Sequence, residues 1–229
     1  MQLHKLREYL NSYHRWLSSP AADKRLHYWE SQQNWQDHWD MESLDFADVY
    51  DNSLQNQTNR RLWSRQAYSP KQMMQAFIEM EPHFVHSMFN DLFNEDKEIL
   101  GRVDRFVFYC DQLLGQYRQH KPKGFHPGHF HDDGYEMISL YLSFQYPALY
   151  APYQADRQIE LLQKLGAIKI PLAGDFPRHV KVMRTLQNFI NKEEALVAAH
   201  QARLQDIHYA EESLLLAFDF ACFVVEEIQ

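Results

Sequence analysis

The chain has 229 residues, enough for one large domain with a buried core. Thirty-one acids against 23 Lys and Arg give a net charge of −8, which argues against tight non-specific binding of nucleic acid, since that affinity comes from neutralising phosphates. The longest apolar stretch, Leu214 to Val225, is interrupted by Asp219 and falls short of a membrane span, and the polar N-terminal residues do not read as a signal peptide.

Only two cysteines are present, Cys110 and Cys222, each inside an apolar helical pattern and without a Cys/His spacing that marks zinc. They read as small buried hydrophobes in a reducing compartment, which predicts a cytoplasmic location. Seven glycines in a chain rich in Leu, Gln, Glu and Ala point to helices rather than turn-rich sheets.

In chain order, Leu3, Leu6, Leu10, Tyr13 and Leu17 recur at steps of three and four, so a first amphipathic helix ends before Ser18-Ser19-Pro20. A second is predicted from Ala22 to Asp40, carrying Trp29, Trp35 and Trp39. Residues 45–51 read as a short helix or turn, and 55–59 as a polar linker. Ser69-Pro70 is a helix start, with Ser as cap and Pro at the first helical position. Pro82 opens another helix.

Asn94 or Asp96 starts the longest pattern, in which Ile99, Val103, Phe106, Cys110, Leu113 and Tyr117 hold helical spacing. Further helices are predicted near 134–145, 154–166, 177–191, 193–205 and 211–228. No stretch alternates with period two. The expected fold is all-α, a single multi-helix orthogonal bundle of about ten helices. Residues 1–55 would form an N-terminal helical pair packed on a main domain of residues 56–229.

The segment His126-Pro127-Gly128-His129-Phe130-His131-Asp132-Asp133 joins the fifth and sixth predicted patterns. Imidazoles at alternate positions followed by acids can ligate zinc, iron or manganese, so His126, His129, His131, Asp132 and Asp133 are the candidate metal ligands. The segment also resembles the HxHxDH motif of metallo-β-lactamase-fold hydrolases, but Gly134 and Tyr135 follow Asp133 where that motif needs its final histidine. The plainer expectation is a solvent-exposed loop in which Asp132 or Asp133 caps the next helix.

Two basic groups stand out: Arg118, His120, Lys121, Lys123 and His126 after the long helix, and Arg178, His179, Lys181 and Arg184 at the start of a later one. Cations suit a helix C-terminus, and bare N–H groups at an N-terminus add anion affinity. Arg60, Arg61 and Arg65 around Trp63 read as a solvated helix face. Motifs for phosphate loops, dinucleotide folds, nucleophile elbows and zinc proteases are absent, so no conventional nucleotide hydrolase is encoded in these residues.

Residues Ser69–Leu114 and Asp132–Gly166, the latter with Tyr146-Pro147-Ala148-Leu149-Tyr150-Ala151-Pro152-Tyr153, resemble the helical front region of some McrB-like AAA+ restriction proteins, where a Tyr-Pro-x-x-Tyr-x-x-Tyr pattern recurs. The resemblance implies an accessory module, which in that family accompanies a separate motor that hydrolyses nucleotide to drive DNA cleavage by a partner nuclease. Here no motor motif is present, and Gln154 stands where the family often has a basic residue.

These readings combine into a non-enzymatic helical module without a cofactor that contacts another protein, an AAA+ motor or a nuclease, or DNA, which the net charge disfavours. Its expected contact residues are Arg118, Lys121, Lys123, His126, His129, His131, Tyr150, Tyr153, Arg178 and Arg184. The alternative is a metal-dependent helical enzyme built on the loop 126–133.

Overall fold

A computed structural model describes residues 1–55, 70–121, 128–132, 134–172 and 175–228. Among them are eleven α-helices, one 3-10 turn and no strand: an all-α helical bundle. Helix α1 (Leu3–Trp16) buries Leu6, Leu10 and Tyr13, the stripe its spacing predicts, and stops before Ser18-Ser19-Pro20. The expected single helix over 22–40 is divided. A 3-10 turn, Ala22–Arg25, precedes α2 (His27–His38), and this tighter turn carries Arg25 onto Asp219 near the other end of the chain.

Helix α3 (Phe46–Ser53) is capped by the Asp45 carboxylate, which accepts from the N–H of Asp48 at 3.1 Å. Helices α4 (Pro70–Met80) and α5 (Pro82–Leu92) follow, and each begins on the proline. Helix α6 (Ile99–His120) starts later than Asn94 or Asp96. Asn94 closes a turn by accepting the Asp96 N–H, and the Glu98 side chain then caps Gly101 N at 3.0 Å.

The remaining helices are α7 (Glu136–Gln145), α8 (Ala155–Lys164), α9 (Phe176–Ile190), α10 (Glu194–Gln201) and α11 (Leu215–Glu226). Two of them, α7 and α11, are apolar on nearly every side, and such helices belong in an interior rather than on a surface. Each is the centre of one hydrophobic cluster. Around α7 pack the C-terminal half of α2 together with α3–α6, while α1, α8, α9 and α10 pack around α11. Burying each large side chain in these clusters stabilises the fold by about 1.5–3 kcal/mol before the entropy of ordering is set against it. No described helix is long and apolar enough to cross a membrane.

Candidate functional site

The His-rich segment reaches the core. His129 is 6% exposed and His131 only 1%, so the expectation of a solvent-exposed loop fails for both. Of the two expected caps, Asp133 lies outside the described residues and Asp132 is engaged elsewhere. Asp132 turns its carboxylate to the N–H of Gly134 at 3.1 Å, and the residue preceding α7 is Tyr135, with φ 56° and no capping side chain. Phe130, at φ 59°, is left-handed too. Two non-glycine residues in that conformation cost free energy, and the packing around His131 must hold them there.

What holds them is a directed network. His131 Nδ1 lies 2.7 Å from the carbonyl of His129, so Nδ1 carries the proton and donates. Burial, with the adjacent His129 adding to it, pushes the His131 pKa down to about 3, so the ring is neutral and its Nε2 must accept. The donor is the Tyr141 hydroxyl at 2.9 Å, which in turn accepts from the Tyr50 hydroxyl at 2.7 Å. On the other ring, His129 Nδ1 accepts the backbone N–H of His131 at 2.9 Å, which leaves Nε2–H to donate to Asp111 at 3.0 Å. Every proton in the set has one consistent place.

Cys110 closes the group. It lies on the buried stripe of α6 between Phe106 and Leu113, and its Sγ and one ring nitrogen from each histidine fall within 4.8 Å of one another. Burial raises the thiol pKa well above its usual value, and the nearby Asp111 raises it further. Cys110 shares no short spacing with the histidines, so periodicity alone predicts plain core; only the return of the loop onto α6 brings them together. Asp132 is exposed and outside this group, while Lys123, His126 and Asp133 lie outside the described residues, as do Arg60, Arg61, Trp63 and Arg65.

The tyrosine bend serves a different purpose. Tyr150 is buried, and its hydroxyl donates to Glu95 at 2.8 Å and accepts from Arg102 Nη2 at 2.8 Å. Arg102 is itself only 1% exposed and also bonds Glu95 and the Leu92 carbonyl. The bend therefore clips the turn between α5 and α6. Tyr153, also buried, packs edge-on to Phe176 and against His179. It borders a cleft of about 390 Å³ between the 3-10 turn, α7 and α8, lined with Arg25, His27, Glu136, Arg157 and Glu226.

The described cations of the expected basic surface lie on two helices, α6 and α9, and at the end of α6. Arg118 and Lys121 stay on the exposed end of α6, with Lys121 over the Tyr117 ring at 5.0 Å. Arg178 donates to the Lys169 carbonyl, and Arg184 to that of Leu149 while lying 6.0 Å from the Tyr150 ring. Packing brings Arg184 and Tyr150 together across 34 residues of sequence.

Sequence spacing did not reveal one surface. Phe84 of α5 contacts Tyr109 of α6 at 5.3 Å between ring centroids, and Tyr109 contacts Phe108 at 5.9 Å. Phe108 is 55% exposed and Phe84 36%. Along α6, Asp104, Phe108, Asp111, Gly115 and Arg118 are all exposed at steps of four and three, so they share one outer face. No protein-family model matches this chain, and neither a curated protein nor a solved structure matches it.

Proposed function

We propose that this protein is a non-enzymatic accessory module that works by docking a protein partner on the outer face of α5 and α6. The observation that carries this reading is the aromatic group Phe84–Tyr109–Phe108, in which exposed Phe84 and Phe108 flank the half-buried Tyr109. Aromatic side chains bring large apolar area to an interface at small entropic cost, and they dominate binding hot spots. Asp104 and Asp111 flank Phe108 on the same face, so the complementary surface is an apolar pocket rimmed by Lys or Arg. The same carboxylates repel phosphates, which favours protein over DNA here. The resemblance to McrB-like front regions points to an AAA+ motor or a nuclease as the class of partner, and proteins that handle DNA carry such basic surfaces.

The test is affinity purification of the full chain from its native cells, comparing wild type, Phe108→Glu and a control, Ile168→Glu, at another exposed aliphatic. A protein retained by wild type and control but lost with Phe108→Glu is expected. Phe108→Glu should shift folding stability by no more than about 0.5 kcal/mol, as surface changes do. An unchanged set of retained proteins would sink the reading. Salt-sensitive binding of duplex DNA would replace it with the nucleic-acid version.

A further inference from the structure

Cys110, His129 and His131 set a thiol and two imidazoles side by side in the core, on α6 and on the loop that follows it. A thiolate with two imidazoles is ligand chemistry for zinc and its neighbours, whereas magnesium and calcium take oxygens. Each histidine is already divided into two roles. His131 Nδ1–H is tied to a carbonyl and His129 Nε2–H to the Asp111 carboxylate, so one nitrogen on each ring keeps a lone pair. Metal-binding histidines show this division, with one nitrogen on the ion and the other donating to an oxygen that orients the ring.

We propose that Cys110, His129 and His131 bind a divalent ion of the zinc type, with the Tyr141 oxygen as fourth ligand, fastening the loop 128–132 to α6 and α7. The Tyr141 oxygen is 2.9 Å from His131 Nε2. Ligands about 2.1 Å from a tetrahedral ion stand about 3.4 Å apart, so this pair already has suitable spacing. The Cys110 sulfur and the two histidine nitrogens, spread within 4.8 Å, close by about 1 Å or a little more on binding.

On entry of the ion the Cys110 thiol and Tyr141 phenol protons leave to solvent, and the sulfur and oxygen bind as thiolate and phenolate. The hydrogen bond now made to each lone pair, from the His131 N–H and from Tyr141, is exchanged for a metal bond. Without metal the same atoms satisfy one another, so the chain folds in both states. The cluster faces inward while Phe108 faces out, and the proposal therefore stands independently of the docking reading.

The experiment loads the full chain with zinc or cobalt(II) chloride, removes free metal by gel filtration, and reads metal content, melting temperature and absorption. One retained ion per chain, a raised melting temperature and a thiolate-to-cobalt charge-transfer band are expected. Cys110→Ala should abolish the band while Cys222→Ala keeps it, and Asp111→Ala should weaken binding about 10–100-fold. Failure of the wild type to retain metal or shift its melting temperature would overturn the proposal. Retention undiminished in Cys110→Ala would also overturn it, since surface histidines would then account for binding. If Cys110→Ala does not fold, the wild-type cobalt spectrum decides, because a site lacking sulfur gives no such band.

Discussion

In the second hydrophobic cluster Asp219 is buried among three donors: Arg25 Nε at 2.5 Å, Arg203 Nη2 at 2.6 Å and Tyr13 OH at 2.7 Å. In the first cluster His131 is buried just as deeply, among Tyr141, a backbone carbonyl and His129. Burial alone would raise the Asp219 carboxyl, yet Arg25 and Arg203 hold it below the usual range and it stays an anion. Burial lowers the His131 imidazole, no anion offsets it, and the ring stays neutral. Two polar groups at equal depth thus take opposite charge states. The partners that packing supplies decide between them, and depth does not.

The largest expected effect that tests this contrast is Asp219→Ala, which strands Arg25 and Arg203 without their central anion. It should cost about 3–5 kcal/mol in urea or guanidinium unfolding. A loss below about 1 kcal/mol would mean that the cluster is not held by charge. Tyr141→Phe probes the neutral network. It leaves His131 Nε2 and the Tyr50 hydroxyl without their shared partner, for an expected loss of about 1–3 kcal/mol. A neutral result would show that the network contributes geometry without net stability.

The pH response separates the buried histidines from the buried carboxylate. His131 and His200 have folded pKa values near 3, and His179 near 4, in each case mainly through burial. The unfolded chain titrates these groups near 6.5, so below that pH it binds protons the folded chain does not. Stability therefore falls as pH drops from about 6.5, by up to about 1.4 kcal/mol per pH unit for each such histidine, and less for the slightly exposed His200. Asp219 works in a lower window. Its stabilisation is complete above the unfolded carboxylate pKa of about 3.9 and is lost only as pH falls through its lower folded value. Denaturant midpoints measured from pH 7.5 to 4.5 check this, and a flat profile would contradict a neutral buried His131.

Much of the architecture was readable in advance because amphipathic spacing is local. Leu6, Leu10 and Tyr13 marked the inner face of α1, and Val103, Phe106, Cys110 and Leu113 that of α6. The break at Leu26 was not visible, and the Arg25–Asp219 contact beside it joins residues 194 apart in the chain. The candidate site was half readable. His129 and His131 stood out by composition, but their burial and the inclusion of Cys110 and Tyr141 follow from a loop folding back over α6, which no short motif encodes. Tyr150 stood out for its motif and proved to be a clip for Arg102 and Glu95.

Periodicity and composition by themselves determined the all-α class, the order of the helices and the short span of the apolar stretch around Asp219, since each depends on neighbours within a few residues. Tertiary structure alone decided which polar groups meet. Tyr13 and Asp219 are 206 residues apart, Tyr50 and Tyr141 are 91 apart, and the His129 ring reaches Asp111 across 18. Charge state, tautomer and ligand geometry are properties of those meetings, so they exist only once the chain has folded.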